Sequence, residues 1–273
     1  MSDKTVASSA ESFEIGDLRI TLSGVIALLK MNRPEKLNAM GSRFWGDMRE
    51  ALARLENDGR TRVLVITGSG DKAFSAGGDI ASFGEMKTMT QRREYQANVM
   101  DTFIALENSR LPVIAAVNGY ALGGGCELTL ACDVVIASDR AVFGMPESAL
   151  GLVPGFGVLR APSVIGRQMT KMMVMAGERL DAHQALQCGL VQRVVVHEQL
   201  MSEARNMATK IAENSPLAHA VGKKLINRGI DRAEFDYSVE ALTVLQSSED
   251  AAEGVRAFLE KRKPQFPDPG AAS

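Results

Sequence analysis

The sequence predicts an α/β core whose strands pair in parallel, followed by a helical region in its last third. Two patterns carry this expectation. Up to about Gly166, short apolar runs alternate with segments of helical spacing, the order that lays helices across a parallel sheet. Beyond Gly166 apolar positions recur at helical spacing almost throughout, with Val191 to Val196 a short exception. A chain of 273 residues can bury a large core, as one large domain or two small ones.

Taken in order, residues 1–12 are rich in Ser, Ala and acids and read as a loose start. Leu18 to Leu22 and Val25 to Met31 read as two strands of a hairpin turning at Ser23-Gly24. Phe44, Met48, Leu52 and Leu55 share one helix face. Val63 to Thr67 is a β-branched run suited to a buried strand, stopped by Gly68-Ser69-Gly70. A long polar helix from about Thr90 to Asn108 leads to a second buried strand, Val113 to Val117, ending at Asn118-Gly119. Gly123-Gly124-Gly125 opens a compact apolar helix, and Val134 to Ala137 forms a further strand. Helices then follow over Glu198 to Glu213, Pro216 to Arg228, Ala233 to Gln246 and Glu249 to Arg262. A helical module of that size has limited core of its own, so it should dock on the main domain or on a neighbouring subunit. The organisation is a core over 13–195, helices over 196–263, and a tail from 264 to 273 marked by Pro264, Pro267 and Pro269.

Composition narrows the function classes. Hydrophobic residues make up 45% and charged residues 23%, as in ordinary soluble globular proteins. Thirty-one basic against thirty-three acidic side chains leave a charge of −2, which gives no footprint for nucleic acid. Cys126, Cys132 and Cys188 show no CxxC spacing and read as buried thiols in a reducing compartment. His183, His197 and His219 form no metal-ligand pattern. No apolar run reaches membrane-spanning length, and Asp3, Glu11 and Glu14 with no Arg before Arg19 fit neither a secretory signal nor a transit peptide. These readings together point to the cytoplasm and to no metal.

The most informative feature is where charge is missing. Glu127 is the only charged residue between Arg110 and Asp133, and Glu147 the only one between Arg140 and Arg160. A lone carboxylate in such apolar surroundings is costly to ionise, so its proton affinity should rise. Groups tuned this way suit general acid/base work. The plainer reading makes each a satisfied core polar group paired with a distant Arg or backbone N–H, and sequence spacing alone does not bring the two together.

Two glycine-bearing loops could serve the same site. Gly123 to Gly125 lie between a strand and the helix of Glu127, where backbone N–H groups suit a developing oxyanion or a phosphate. Phe74-Ser75-Ala76-Gly77-Gly78-Asp79-Ile80 again exposes backbone N–H groups through small residues. Taken alone, either run is equally an ordinary tight turn. Gly68-Ser69-Gly70-Asp71-Lys72-Ala73 matches the dinucleotide fingerprint G-x-G-x-x-A, but that fingerprint needs a helix to open at once, and two more glycines stand where it should run. No G-x-S-x-G elbow surrounds any serine, which argues against a serine hydrolase.

Ordered along the chain, these segments resemble the enoyl-CoA hydratase/isomerase (crotonase) superfamily. Asn32-Arg33-Pro34-Glu35-Lys36-Leu37-Asn38-Ala39 resembles its opening motif and Ala73 to Ile80 its first oxyanion-hole loop. Asn118 to Leu128 resembles the second such loop, Phe143-Gly144-Met145-Pro146-Glu147 the segment of the second glutamate, and Phe258-Leu259-Glu260-Lys261-Arg262 the last helix. The resemblance spans about residues 13 to 266. It implies a crotonase-like spiral of ββα units with a C-terminal helical region that forms trimers or paired trimers. It implies Glu127 and Glu147 as the catalytic pair, and backbone N–H groups of Ala76 and Gly124 as the holders of a thioester oxygen. Ala76, Gly77, Gly78, Asp79 and Ile80 would line the coenzyme A site with Lys36 and Leu37 near it, and Phe258 and Lys261 would reach a coenzyme A bound by a neighbouring subunit. Coenzyme A would be part of the substrate, with no separate cofactor.

Within the superfamily, isomerases keep mainly the glutamate matching Glu147, so the presence of both favours an enoyl-CoA hydratase, a lyase adding water to a trans-2-enoyl-CoA. An isomerase, or a hydrolase or lyase of another acyl-CoA, is the alternative; a non-catalytic RNA-binding or scaffold member is the alternative of another class. Pro154-Gly155-Phe156-Gly157-Val158-Leu159-Arg160-Ala161-Pro162 departs from the common Pro-Gly-x-Gly-Gly-Thr-Gln-Arg-Leu-Pro, which leaves the acyl group open.

Overall fold

The computed structural model describes residues 11–227 and 232–265. Residues 1–10 of the loose start and 266–273 of the expected tail lie outside the described residues. Glu11 and Ser12, read as part of that start, already belong to the first strand.

The chain runs β1 (Glu11–Ile15), β2 (Leu18–Ser23), β3 (Ile26–Met31), α1 (Phe44–Asn57), β4 (Val63–Gly68), β5 (Ala73–Ser75), α2 (Ile80–Phe83) and α3 (Met89–Asn108). It continues through β6 (Val113–Val117), β7 (Tyr120–Leu122), α4 (Gly124–Leu130), β8 (Val134–Ser138), β9 (Val142–Gly144), α5 (Gly155–Val164) and α6 (Arg167–Met175). It closes with β10 (Arg179–Asp181), α7 (Ala182–Gln187), β11 (Arg193–Val195), α8 (Leu200–Ala212), α9 (Pro216–Ile226), α10 (Arg232–Gln246) and α11 (Glu249–Leu259).

A seven-stranded sheet has the order β1-β2-β3-β4-β6-β8-β11. The first three strands form an antiparallel meander, and the pairings from β3 to β11 are all parallel. Strands buried on both faces need no polar alternation, which is why β4 and β6 are continuously apolar. Val63, Val65, Ile114, Ala116 and Ile136 point to one face and pack on α8 through Leu200, Ala204, Ala208 and Ala212. Leu64, Ile66, Val113, Ala115 and Val117 point to the other face, into the main core with Trp45, Phe74, Phe103, Phe143 and Phe156.

A second sheet of order β10-β9-β7-β5 was not legible from sequence. Each of these strands has three residues, too few to show a period. The two sheets make the repeat visible. β4, β6 and β8 each pass within a few residues into β5, β7 and β9, which pair in parallel, and a helical segment follows each pair. β10 also interrupts the region beyond Gly166 that spacing made almost wholly helical.

The dinucleotide look-alike is a tight turn into β5, with no helix. A Cβ on Gly68 would stand 2.2 Å from the Ala73 carbonyl oxygen. The Asn118 amide donates to the carbonyls of Gly68 and Gly70, and that of Asn38 donates to the carbonyls of Ser69 and Ala73. Two buried amides thus fasten the loop from either side.

The C-terminal helices dock on the core. α10 lies along α3, with an Arg93–Glu240 ion pair at 2.5 Å. On α9, Lys223 is buried; its ammonium donates to the Leu111 carbonyl at 3.1 Å and to the Asp133 carboxylate at 2.7 Å. Removing one partner of a buried ion pair leaves the other charge uncompensated. Lys223→Met should therefore lower unfolding stability by roughly 3 kcal/mol, read as a reduced urea midpoint with an unchanged slope.

Candidate active site

Glu127 lies on α4, 5% exposed, among Cys126, Leu128 and Leu130. Its Oε1 accepts the Gly157 N–H at 2.8 Å. Burial raises its carboxyl to about 7, and hydrogen bonds from Gly157 and Phe156 only partly offset that rise. Gly157 is thirty positions away in sequence and directly precedes Val158 and Leu159, where the chain departs from the common pattern. A Cβ there would stand 2.7 Å from Met145 Sδ and 3.5 Å from Glu127 Cγ, so a side chain at this position would press on Met145.

Glu147 opens a 3-10 turn, Glu147–Leu150, after β9. Its Oε1 would stand 2.9 Å from a Cβ on Gly123, which places the carboxyl over the start of α4. Its Oε2 is buried and has no hydrogen-bond partner among the described residues. Burial first, and then the charge of Glu127, push this carboxyl well above the usual carboxylate range. The two carboxyls are therefore within electrostatic reach of each other and titrate as a pair. The turn is backed by α11: a Cβ on Gly254 would stand 2.4 Å from the Leu150 carbonyl, so the helix backbone rests directly on the turn.

The two glycine loops meet. A Cβ on Gly77, whose φ is +94°, would stand 2.7 Å from the Leu122 carbonyl oxygen and 3.2 Å from the Gly124 nitrogen. A Cβ on Gly124 would in turn stand 3.7 Å from the Gly78 nitrogen. Accounting for the N–H groups corrects one expectation. That of Ala76 donates to the Leu37 carbonyl at 3.0 Å and is not available to a ligand. Those of Gly77 and Asp79 donate to Ser75 Oγ and the Met40 carbonyl. The N–H groups of Gly78 and Gly124 have no acceptor among the described residues, and they are neighbours. The free N–H groups are therefore those of Gly124 and Gly78, while that of Ala76 is engaged by Leu37. The parallel bridge between Met40 and Gly78 is the cause, since it uses the amides on either side and leaves the Gly78 N–H free.

The other expected binding residues surround this loop. Asp79 pairs with Arg33 at 3.1 Å and Lys36 at 3.4 Å, and it caps α2 by accepting the Ala81 N–H. Burial works against its ionisation, but the Arg33 and Lys36 charges outweigh it and hold the carboxyl below its usual range. Lys36 and Leu37 are exposed beside it, and Ile80 is half-buried at the start of α2. Phe258 is exposed in the last turn of α11 and Lys261 just beyond it, and neither bonds to the carboxyls within one chain.

Ser75 is fully buried and donates to the Asn38 carbonyl at 2.9 Å, so it fastens the loop. A serine, a histidine and an aspartate do approach elsewhere: Ser138 Oγ lies 3.1 Å from His197 Nδ1, and His197 Nε2 lies 4.0 Å from Asp71. Ser138 is fully buried and accepts the Arg140 N–H, which denies it the access a nucleophile needs. Among the described residues no group of three or more His, Cys, Asp or Glu side chains is arranged to hold a metal. Sequence reasoning missed Gly157 and Arg33. Both stand inside segments already singled out, but their roles depend on partners far along the chain.

The enoyl-CoA hydratase/isomerase family profile matches residues 21–269. The chain is 40% identical to the short-chain-enoyl-CoA hydratase of Clostridium acetobutylicum, over 92% of this chain and 97% of that protein. It is also 40% identical to the crotonyl-CoA hydratase of Syntrophomonas wolfei, over 88% of this chain and 94% of that one. Among solved structures, carnitinyl-CoA hydratase from Mycobacterium avium superposes with a TM-score of 0.82 at 33% identity, covering 93% of this chain and 99% of that one.

The raised carboxyl of Glu127 has a consequence for stability. Between its ordinary 4.5 and about 7 the folded protein keeps a proton that the unfolded chain releases. The associated stabilisation is full below about 4.5 and is lost as pH rises through about 7. Glu127→Gln should therefore be more stable than the parent at about pH 8, by roughly 1–3 kcal/mol. The difference should shrink towards about pH 4 in urea titrations at the two pH values.

Proposed function

The chain belongs to the enoyl-CoA hydratase/isomerase family, and from that premise we propose that it adds water across the double bond of a trans-2-enoyl-CoA, giving a 3-hydroxyacyl-CoA. The observation that carries this reading is the pair of buried carboxyls, with the unpartnered Oε2 of Glu147 facing a site that also bears the charge of Glu127. A buried acceptor without a partner is costly unless a ligand completes it.

Conjugate addition brings water oxygen to the β-carbon and leaves negative charge on the thioester oxygen. In this reading the N–H groups of Gly78 and Gly124 form the oxyanion hole and receive that charge where it develops. The raised carboxyls share protons near neutral pH, so one takes the water proton and the other delivers a proton to the α-carbon. Gly157 holds Glu127 in place by its N–H, and α11 holds the turn of Glu147. The chemistry draws on no separate cofactor, coenzyme A entering as part of the substrate. Lys36, Leu37 and the loop from Ala76 to Ile80 would meet the coenzyme A portion. Exposed Lys36 and the half-buried Arg33–Asp79 pair support a polar entrance there. Phe258 and Lys261 would meet it from a neighbouring subunit. Exposed Leu217, Val221 and Leu225, four residues apart on α9, with Tyr237 and Val244 on α10, support a homo-oligomer, a trimer or a dimer of trimers. Three free cysteines support the cytoplasm as its compartment. No helix among the described residues is long and apolar enough to cross a membrane.

Two measurements test the reading. Purified protein offered 2-enoyl and 3-enoyl thioesters should give hydrated product from the 2-enoyl set by mass. Glu127→Gln and Glu147→Gln should each reduce kcat by about 10²–10⁴-fold. Double-bond migration without water uptake, surviving Glu127→Gln, would move the assignment to the isomerases. Second, kcat/KM plotted against pH should be bell-shaped. Its alkaline limb should fall as the pair loses its last proton, at or above about pH 7.

A further inference from the structure

Six aromatic rings run in contact through the core, from Phe83 after the first glycine loop to Phe235 on α10. Phe83 meets Tyr95 at 5.6 Å, Tyr95 meets Trp45 at 6.5 Å and Trp45 meets Phe103 at 5.5 Å; Phe103 meets Phe156 at 4.7 Å and Phe156 meets Phe235 at 6.3 Å. The run touches the site at each turn. A Cβ on Gly78 would stand 3.1 Å from Phe83 Cζ and 3.5 Å from the Tyr95 hydroxyl. One on Gly124 would stand 2.8 Å from Met40 Cε and 3.6 Å from Trp45. Phe156 precedes Gly157, whose N–H holds Glu127. Charge lies farther along the same loop, where Asp79 meets Arg33 and Lys36. An amphipathic thioester with its oxygen at Gly78 and Gly124 can divide itself in only one sense: its polar portion towards Lys36 and its hydrocarbon towards the rings.

Tyr95 lies beside one of the two free N–H groups, its hydroxyl 3.5 Å from where a Cβ on Gly78 would stand. Trp45, 2% exposed, donates its indole N–H to the Tyr95 hydroxyl at 3.3 Å, which fixes the ring. The hydroxyl proton has no acceptor among the described residues. Burial raises this phenol, the Trp45 hydrogen bond opposes the rise, and the charges of Glu127 and Asp79 add to it.

We propose that Tyr95 is the residue that sets acyl length. Its ring, held by Trp45 and packed on Phe83, closes the pocket a few carbons beyond the thioester and selects short 2-enoyl chains. The departure at Val158 and Leu159 does not set this limit. Those side chains line, with Ala233 and Tyr237, an open surface groove of about 510 Å³ on the α10 side. The proposal rests on the acyl-CoA reading above and deepens it.

Binding tests it without turnover. Trp45 is the only tryptophan and touches both Tyr95 and the Gly124 loop, so its emission reports occupancy by saturated butanoyl-CoA and decanoyl-CoA. The parent should bind butanoyl-CoA more tightly than decanoyl-CoA. Tyr95→Ala should shift the ratio of the two dissociation constants towards the long chain by about tenfold or more. Tyr95→Leu, which removes less volume, should shift it in the same direction by less. Tyr95→Phe, which keeps the ring but loses the Trp45 hydrogen bond, should stay nearer the parent ratio than Tyr95→Leu does. Where the parent turns over 2-enoyl thioesters, kcat/KM for four-carbon and ten-carbon substrates should move with the binding ratio. Equal weakening for both lengths in Tyr95→Ala and Tyr95→Leu, or an unchanged ratio in both, overturns the proposal. Selective butanoyl-CoA binding without any hydration would overturn the hydratase reading and leave this one standing.

Discussion

The site depends on backbone meeting backbone with no side chain between. Gly77 lies against Leu122, Gly123 and Gly124 so closely that a single added methyl would overlap the Leu122 carbonyl. That contact joins the loop after β5 to the loop after β7. Two N–H groups without acceptors stand side by side because of it. It also sets the floor over which Glu147 lies, because Gly123 carries nothing to displace the carboxyl. Glycine provides both the close approach and, at Gly77 and Gly123, the positive φ that other residues rarely adopt. The parallel pairing of β5 with β7 brings the loops together, and Asn38 and Asn118 keep the preceding turn from drifting.

Above that floor, two acidic side chains are kept out of water at a thermodynamic cost. Each is held by something remote in sequence: Glu127 by the Gly157 N–H, and the Glu147 turn by the backbone of α11 at Gly254. The C-terminal helices are thus part of the site even though they supply no carboxyl. A group whose ionisation is opposed by burial binds protons near neutral pH, which is the property proton transfer requires. The same burial destabilises the ionised folded state, a tension common where reactivity and stability share residues.

Polarity is segregated around the same loop. Arg33, Asp79 and Lys36 occupy one side, with Asp79 kept ionised by its two basic neighbours. Phe83, Tyr95, Trp45 and Met40 gather about Gly78 and Gly124. A ligand with a charged, hydrophilic portion and a hydrocarbon portion has one low-energy orientation in such a site. That orientation sets its reactive carbons near Glu127 and Glu147 in the proposed chemistry.

Much of this was legible in one dimension. Buried parallel strands declare themselves by unbroken apolar runs, so β4, β6 and β8 were placed within a residue or so. The long helices showed their apolar spacing. Glu127 and Glu147 stood out because each is the lone charge in a long apolar run, where burying a carboxylate is costly. The second sheet was invisible, because three-residue strands carry no periodicity and owe their existence to parallel partners tens of residues away. The donor at Gly78 was also out of reach: Ala76 and Gly78 are equivalent as small loop residues, and only the pairing with Met40 and Leu37 decides which N–H is left free. The sequence alone determined which residues were chemically unusual for their neighbourhoods. Tertiary structure decided which of them meet, because hydrogen-bond pairing and glycine contact are properties of segments brought together by the sheets.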